Sequence, residues 1–366
     1  MSKAAELANL IGNINAGGGG VNRNVIINGA MNVAQRGTST TGLGGNGANY
    51  STVDRFYTYA NGTDGRFTMT QDSSAPDGFA NSLKLACTTA DTSIASAEQL
   101  LLAQVIEGQN LQHLNKGTSS ALPVAVSFYV KGNASATYMC ALIDNDNSRM
   151  STKQFSVTTD WTRITINVPA DTTGALDDDN AGSFNLNFYL HAGSNLTGGT
   201  YTASTWGAST DANRAVGISS FFDSTDRTFF ITGVQLEVGQ NPTEFEREPF
   251  DVTLRKCNRY FEKVEVTAGS YAHVAYAYTT TGMRAKQTYE KKRANPTFSF
   301  DNQGDVVVFY NGNSTDADPS WNYHDAGPNS CRVSITLTGV STTAGYAAAA
   351  YVNGSVTYNI KVDAEL

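Results

Sequence analysis

The chain has 366 residues, among them 34 glycines, with only 16% charged residues and a formal net charge of −8 at pH 7. That length allows two or three domains of about 100–200 residues each. The acidic balance speaks against nucleic acid as a partner, because such binding draws its affinity from Lys and Arg displacing counterions. No apolar run of about 18 residues and no basic leader are visible, so membrane insertion and secretion are not expected, and assembly must deliver a protein made in the cytoplasm.

In chain order, residues 3–14 carry the one helical pattern, with Ala4, Leu7, Leu10, Ile11 and Ile14 along one face. A helix of about twelve residues is marginal alone in water. The stripe Leu7, Leu10, Ile11 and Ile14 is therefore expected to pack on a partner or, in the plainer reading, on its own domain as a frayed tail. Gly17 to Gly20 follow as a flexible joint, making residues 1–20 an anchor with a hinge.

Residues 21–250 read as strand after strand with Gly, Asn and Asp turns between them. Asn24 to Gly37 and Phe230 to Gly239 are expected to be the opening and closing strands. In the latter, Phe230, Val234, Leu236 and Val238 share one parity, and Ile231, Gly233, Gln235 and Glu237 the other. Val124, Val126, Phe128 and Val130 alternate similarly, as do Ile164, Ile166 and Val168, and Phe184, Leu186, Phe188 and Leu190. One apolar face per strand implies a two-sheet antiparallel sandwich, and a jelly roll of the carbohydrate-binding-module type is the form expected of it. Phe245, a single aromatic among charges, is expected against its rim. Residues 251–366 read as a linker, with Cys257, Tyr260 and Phe261 buried, and a smaller β-domain with strands near 297–301, 306–310, 347–352 and 356–362. The fold class is thus all-β: a short helical anchor, a jelly-roll β-sandwich and a distal β-domain.

The chemistry-bearing residues are sparse. Cys87, Cys140, Cys257 and Cys331 lack paired spacing and read as buried small hydrophobes. His113, His191, His273 and His324 are far apart, and no nucleophile-elbow or zinc-ligand spacing occurs, so no catalytic residues, resident metal or cofactor are expected. Asp144 and Asp146 with Asp177, Asp178 and Asp179 offer a carboxylate pair for glycoside hydrolysis or oxygen ligands for calcium. Solvated turn residues are the favoured reading. The basic run Lys291 to Arg293, with Arg284 and Lys286 nearby, is either a reader of anionic groups or a guard on a strand edge.

Sugars present an apolar ring face edged by hydroxyls and are met by exposed aromatics beside amides and carboxylates. Asp318, Trp321, Asn322, Tyr323 and His324 form such a set in an expected loop, with Tyr310 close by. Tyr201 and Trp206 form a second, weaker set. Core packing or a subunit contact is the alternative for both.

The segment Asn24-Val-Ile-Ile-Asn-Gly-Ala-Met-Asn-Val-Ala-Gln-Arg-Gly37, then Val53-Asp-Arg-Phe56, the strand Ala125 to Lys131, Thr232-Gly-Val-Gln-Leu-Glu-Val-Gly239, and Cys257-Asn-Arg-Tyr-Phe261 occur in an order that resembles a widespread family of phage tail-fibre and virion structural proteins. Phe56 stands where Trp is commoner and Asn258 where Gln is frequent. Val362 to Leu366 also looks like the terminus of such fibres, and the resemblance implies that the region of Tyr201 and Trp206 caps the sandwich. The resemblance implies a non-enzymatic component of the virion exterior, on tail or capsid: a tail fibre that attaches to a host-surface glycan, assembled as a homotrimer and joined to tail or capsid proteins through its N-terminus. A head fibre or capsid-decorating protein, and a polysaccharide-depolymerising tailspike, are the alternatives.

Overall fold

The computed structural model describes residues 2–8, 22–301, 306–310, 313–315, 320–338, 341–353 and 357–366. Residues 3–8 form helix α1, on which Leu7 is 57% exposed. Leu10, Ile11 and Ile14, the remainder of the expected stripe, lie outside the described residues, as does Asp318. The chain divides into two compact units between Leu254 and Arg255.

The first unit holds strands β1 (Ser39–Gly44), β2 (Gly47–Asn49), β3 (Tyr57–Asn61), β4 (Arg66–Asp72), β5 (Ser82–Thr89), β6 (Gln99–Glu107) and β7 (Val124–Gly132). They are followed by β8 (Ala136–Asp144), β9 (Arg149–Val157), β10 (Thr162–Val168), β11 (Gly182–Ala192), β12 (Gly207–Ala208) and β13 (Thr228–Val238), with the short helix α2 (Ser194–Thr197) after β11. One sheet runs β1-β4-β5-β13-β7-β10 and the other β12-β9-β8-β11-β6-β3-β2, with every strand pair antiparallel. This is the jelly-roll sandwich. Its core is the meeting of the two inner faces, where Phe128 lies edge-on to Phe155 at 5.1 Å and to Phe188 at 5.0 Å. Edge-to-face rings match the positive rim of one to the negative face of the other, which adds to the area they bury.

Two expectations for this unit need correction. Residues 24–37 are not a regular strand. They lie along β13 in an irregular path, with Val25 N donating to Leu236 O at 3.0 Å and Val234 N to Gly29 O at 3.0 Å. Asn28 and Met31 have φ of 61° and 58°, which a continuous strand does not admit. Gly29 is required there, because a Cβ would stand 2.0 Å from Val234 O. The parity of β13 also breaks: its pairing with β7 shifts between Thr232 and Gln235, around Gly233 at φ 62°. A bulge inserts one residue and reverses the faces beyond it. Phe229 and Ile231 therefore share the core with Val234, Leu236 and Val238, while Phe230 turns outward to Trp161, 6.1 Å between ring centres.

The segments that carry the family resemblance are knitted to one another. Asn28 Nδ2 donates to Val33 O and Asp54 O, Asp54 accepts from Gln35, and the fully buried Arg55 donates to Val105 O at 2.7 Å. Phe245 meets Phe79 at 5.1 Å, at the foot of the expected rim contact.

Helix α3 (Phe250–Asn258) begins after Pro249, with Asp251 in its first turn and Arg255 and Lys256 in its last, charges that complement the helix dipole. The sequence reading assigned no helix here. The second unit then holds β14 (Phe261–Val266), β15 (Tyr271–Ala277), β16 (Gly282–Thr288), β17 (Thr297–Asp301), β18 (Val306–Tyr310), β19 (Asn313–Thr315), β20 (Ser320–His324), β21 (Ser330–Thr336), β22 (Ala347–Val352) and β23 (Tyr358–Asp363). They form a three-stranded sheet β14-β23-β17 and a seven-stranded sheet β19-β18-β22-β15-β16-β21-β20. Val306, Val308, Val333, Ile335, Ile360 and Val362 contribute to its core. All four cysteines are buried, and none is joined to another in a disulfide.

Candidate functional site

The first unit consumes its acidic candidates internally. Asp144 is fully buried, and its Oδ2 lies 2.5 Å from Lys116 Nζ. The same ammonium sits 3.1 Å from Asp171 Oδ2 and donates to Thr173 O and Gly174 O at 2.9 Å each. Two carboxylates and two carbonyls are what a bound cation asks for, and Lys116 already supplies the charge. Calcium therefore has no place at Asp144 while Lys116 holds it. Burial pushes the Asp171 carboxyl up, but hydrogen bonds from Arg149 and Lys116 bring it below the ordinary carboxylate value. Asp146 accepts from the Asp177 amide and Asp179 from the Ala181 amide, the behaviour of turn residues. Asp178 is exposed beside them.

Tyr201 and Trp206 are half-buried. Gln154 N donates to Tyr201 Oη at 3.1 Å, Trp206 Nε1 donates to Pro169 O at 2.9 Å, and the indole lies 5.9 Å from Phe184 with Lys116 over its face. Tyr201 joins Leu196, Ala215 and Ile218 in covering Leu101, Met139 and Tyr189 on the outer face of the seven-stranded sheet. Both aromatics cap the sandwich.

In the second unit, the stretch expected as an exposed loop is instead the edge strand β20, and strand alternation splits the candidates. Trp321 is 7% exposed and faces the core, 5.6 Å from the His273 ring. Tyr323 stacks on Phe298 at 4.8 Å and Phe300 at 4.6 Å, and burial raises its hydroxyl pKa. These two rings are core residues, not a stacking platform. Tyr310 is half-buried against the same core. Asn322 and His324 point the other way and are exposed. Of the basic run, Lys292 is buried on Glu262 at 2.6 Å, a structural ion pair.

The face that Asn322 and His324 join is the outer surface of the seven-stranded sheet. In register across it, Ala347 pairs with Tyr276, Tyr276 with Arg284, Arg284 with Ser334, and Ser334 with Asn322. Alongside, Lys286 pairs with Arg332 and Arg332 with His324. Val274 is 81% exposed and Tyr271 64%, with Tyr276, Tyr278 and Tyr346 also exposed. Arg284 lies over the Tyr278 ring at 3.9 Å, while Arg332 reaches Asp325 at 3.3 Å. Among the described residues, Arg284 and Lys286 make no ion pair. Val274, Tyr276, Arg284, Lys286, Asp325 and Arg332 line an open cleft of about 520 Å³. Contiguous exposed apolar surface of this kind marks a binding site more often than chance.

Sequence reasoning passed over β15, although a signal was present. Tyr271-Ala-His-Val-Ala-Tyr-Ala-Tyr278 is apolar at almost every position of both parities, more than a strand with one solvated face needs. The identity of the inner face, His273, Ala275 and Ala277, follows only from the packed sheet. Among the described residues, no helix is long and apolar enough to cross a membrane.

Fold and site together define an all-β protein with a jelly-roll sandwich and a second β-unit that presents an open aromatic and basic sheet face. No protein-family model and no curated protein matches the chain. Among solved structures, it is similar to the enzymatically active domain of tailspike protein 4 of bacteriophage CBA120, at 12% identity and a TM-score of 0.32 over 59% of this chain. The chain spans 21% of that tailspike chain. It is also similar to the family 11 carbohydrate-binding module of a cellulosomal cellulase of Clostridium thermocellum, at 13% identity and a TM-score of 0.27, covering 55% of this chain and 99% of the module. A family 30 carbohydrate-binding module gives 13% identity and 0.27 over 61% of this chain and 95% of its own. These superpositions are partial, and the fold class rests on the strand order itself.

Proposed function

We propose that this chain is a phage tail fibre that attaches to a host-surface glycan through the outer face of β15, β16 and β21. The exposed row of Tyr271, Tyr276 and Tyr278 beside Arg284 and Lys286 carries the reading. Tyrosine faces suit the apolar faces of sugar rings, and guanidinium and ammonium groups suit carboxylate or phosphate substituents. An anionic surface polysaccharide fits this pairing better than a neutral one. The order of segments resembling phage fibre proteins supports a virion setting, with residues 1–20 as the anchor to tail or capsid proteins. Homotrimeric assembly would join several weak contacts into avidity.

Val274, flanked by Ala347 and Ala349, favours a second reading of the same face as a contact between copies of the chain. Two measurements on the Tyr276→Ala, Arg284→Ala double variant separate them: adsorption to host cells or isolated polysaccharide, and sedimentation equilibrium. Attachment requires adsorption to fall at least about tenfold while the oligomeric state persists. Lost self-association moves the face to the second reading, and unchanged adsorption removes it from attachment. Consumption of polysaccharide by the wild-type protein would replace the binder with a tailspike enzyme. Labelling on negatively stained particles distinguishes tail from head, and deletion of residues 1–20 is expected to leave a folded protein that no longer enters particles.

A further inference from the structure

Three acid-base side chains far apart in the chain converge at one rim of the first unit. Asp91 lies in the link between β5 and β6, Glu98 directly before β6, and His191 one residue from the end of β11. One ligand atom from each lies within 4.8 Å of the others, and all three side chains are buried. His191 shares its parity with Tyr189, which faces outward. A bulge between them sets His191 opposite Leu100 of the inner face, with its ring edge-on to Phe222 at 5.2 Å. Bulges of this kind re-aim a side chain and are over-represented beside functional sites.

Each group is positioned from behind. His191 Nδ1 is 2.8 Å from Ser220 Oγ, and Nε2 is 3.2 Å from Glu98 Oε2. Asp91 Oδ2 accepts from Thr63 Oγ1 at 2.9 Å and from the Asp64 amide at 2.8 Å, and Oδ1 accepts from the Ser93 amide at 3.3 Å. Glu98 differs: it is 5% exposed, and among the described residues the one hydrogen bond of its side chain is that between Oε2 and His191 Nε2. No described Lys or Arg pairs with either carboxylate. Two buried carboxylates balanced by a single imidazole are short of positive charge, and buried charges are ordinarily paired or metal-bound.

We propose that Asp91, Glu98 and His191 form a binding site for a divalent transition-metal ion of the zinc class. Bonds of about 2.0–2.2 Å arranged tetrahedrally place ligand atoms about 3.3 Å apart, close to the 3.2 Å between Nε2 and Glu98 Oε2. An imidazole among carboxylates favours zinc over calcium or magnesium, which take oxygen ligands. With the ion on Nε2, Nδ1 would carry the proton and donate to Ser220 Oγ, as outer-shell partners of metal-bound histidines commonly arrange. The ion would clamp the links at residues 62–65, 90–98 and 220–222 to the end of β11.

The test uses the full chain stripped with a chelator and titrated calorimetrically with Zn²⁺. One saturable site is expected, with a Tm rise of roughly 5 °C at a hundredfold excess over Kd. Because losing an outer-shell partner alone costs roughly 10–100-fold in affinity, Glu98→Gln is expected to weaken binding at least about tenfold. Co²⁺ absorption on the wild-type chain provides a readout independent of the variant's folding. Nitrogen and oxygen ligation supports the site, whereas a thiolate charge-transfer band would assign the metal to the buried cysteines and overturn it. Absence of saturable Zn²⁺ binding, or binding that a folded Glu98→Gln variant leaves intact, overturns it as well.

Discussion

The two seven-stranded sheets of this protein treat their outer faces in opposite ways. In the first unit, residues 193–219 lay Leu196, Tyr201, Ala215 and Ile218 over the sheet, so that Tyr189 and Met139 are buried on both sides. In the second, no described segment covers Tyr271, Val274 and Tyr276, and they meet solvent. An aromatic on a strand therefore does not by itself mark a ligand face. What decides is whether the chain provides a cover, and here a long connection after β11 does so for one sheet.

The sharpest test of this contrast is to remove an aromatic from each side of the same sheet. Trp321→Ala, on the covered inner face, is expected to cost about 3–5 kcal/mol, the range for emptying a buried large aromatic, read by urea denaturation of the second unit. A loss under 1 kcal/mol would return Trp321 to the status of a surface residue. In the first unit, Lys116→Met is expected to cost about 3–5 kcal/mol, since it strands Asp144 without its counter-charge. Preserved stability would show that solvent reaches Asp144 after all.

His273 and Asp171 are also expected to respond differently to acid. Burial holds the His273 pKa at about 4, below the 6.5 of an ordinary imidazole, so the unfolded chain takes up a proton in that window and the folded chain does not. The stability contributed by neutral His273 is complete above pH 6.5 and is lost toward pH 4, at up to about 1.4 kcal/mol per pH unit. Asp171 behaves otherwise: its folded pKa lies below 3.8, so its contribution is complete above that value and disappears only in stronger acid. At pH 5 hydrogen exchange resolved by segment should show loosening around His273 while the turn that holds Asp171 is unchanged. His273→Gln should flatten the slope.

The smallest expected change is on the open face. Tyr271→Ala and Tyr276→Ala should each shift stability by no more than about 0.5 kcal/mol, as exposed positions do. A larger destabilisation in thermal melts would mean the face is covered in the assembled protein.

Alternation and composition alone led to the all-β class, to the strands around Val124–Val130 and Phe184–Leu190, and to the buried cysteines, because a two-residue apolar period has few other solutions. Local pattern is blind to an inserted residue, so the bulges at Gly233 and before His191, which reverse which side chains face inward, became visible only with the pairing partners in place. The same limit applies to the candidate sites. The composition of Trp321 to His324 suggested an exposed aromatic loop, yet pairing with β21 makes it a strand and buries its rings. Neither the neutralisation of Asp144 by Lys116 nor the meeting of Glu98 with His191, 93 residues away, has a local signature, because such contacts are made by strands that become neighbours only when the sheets close.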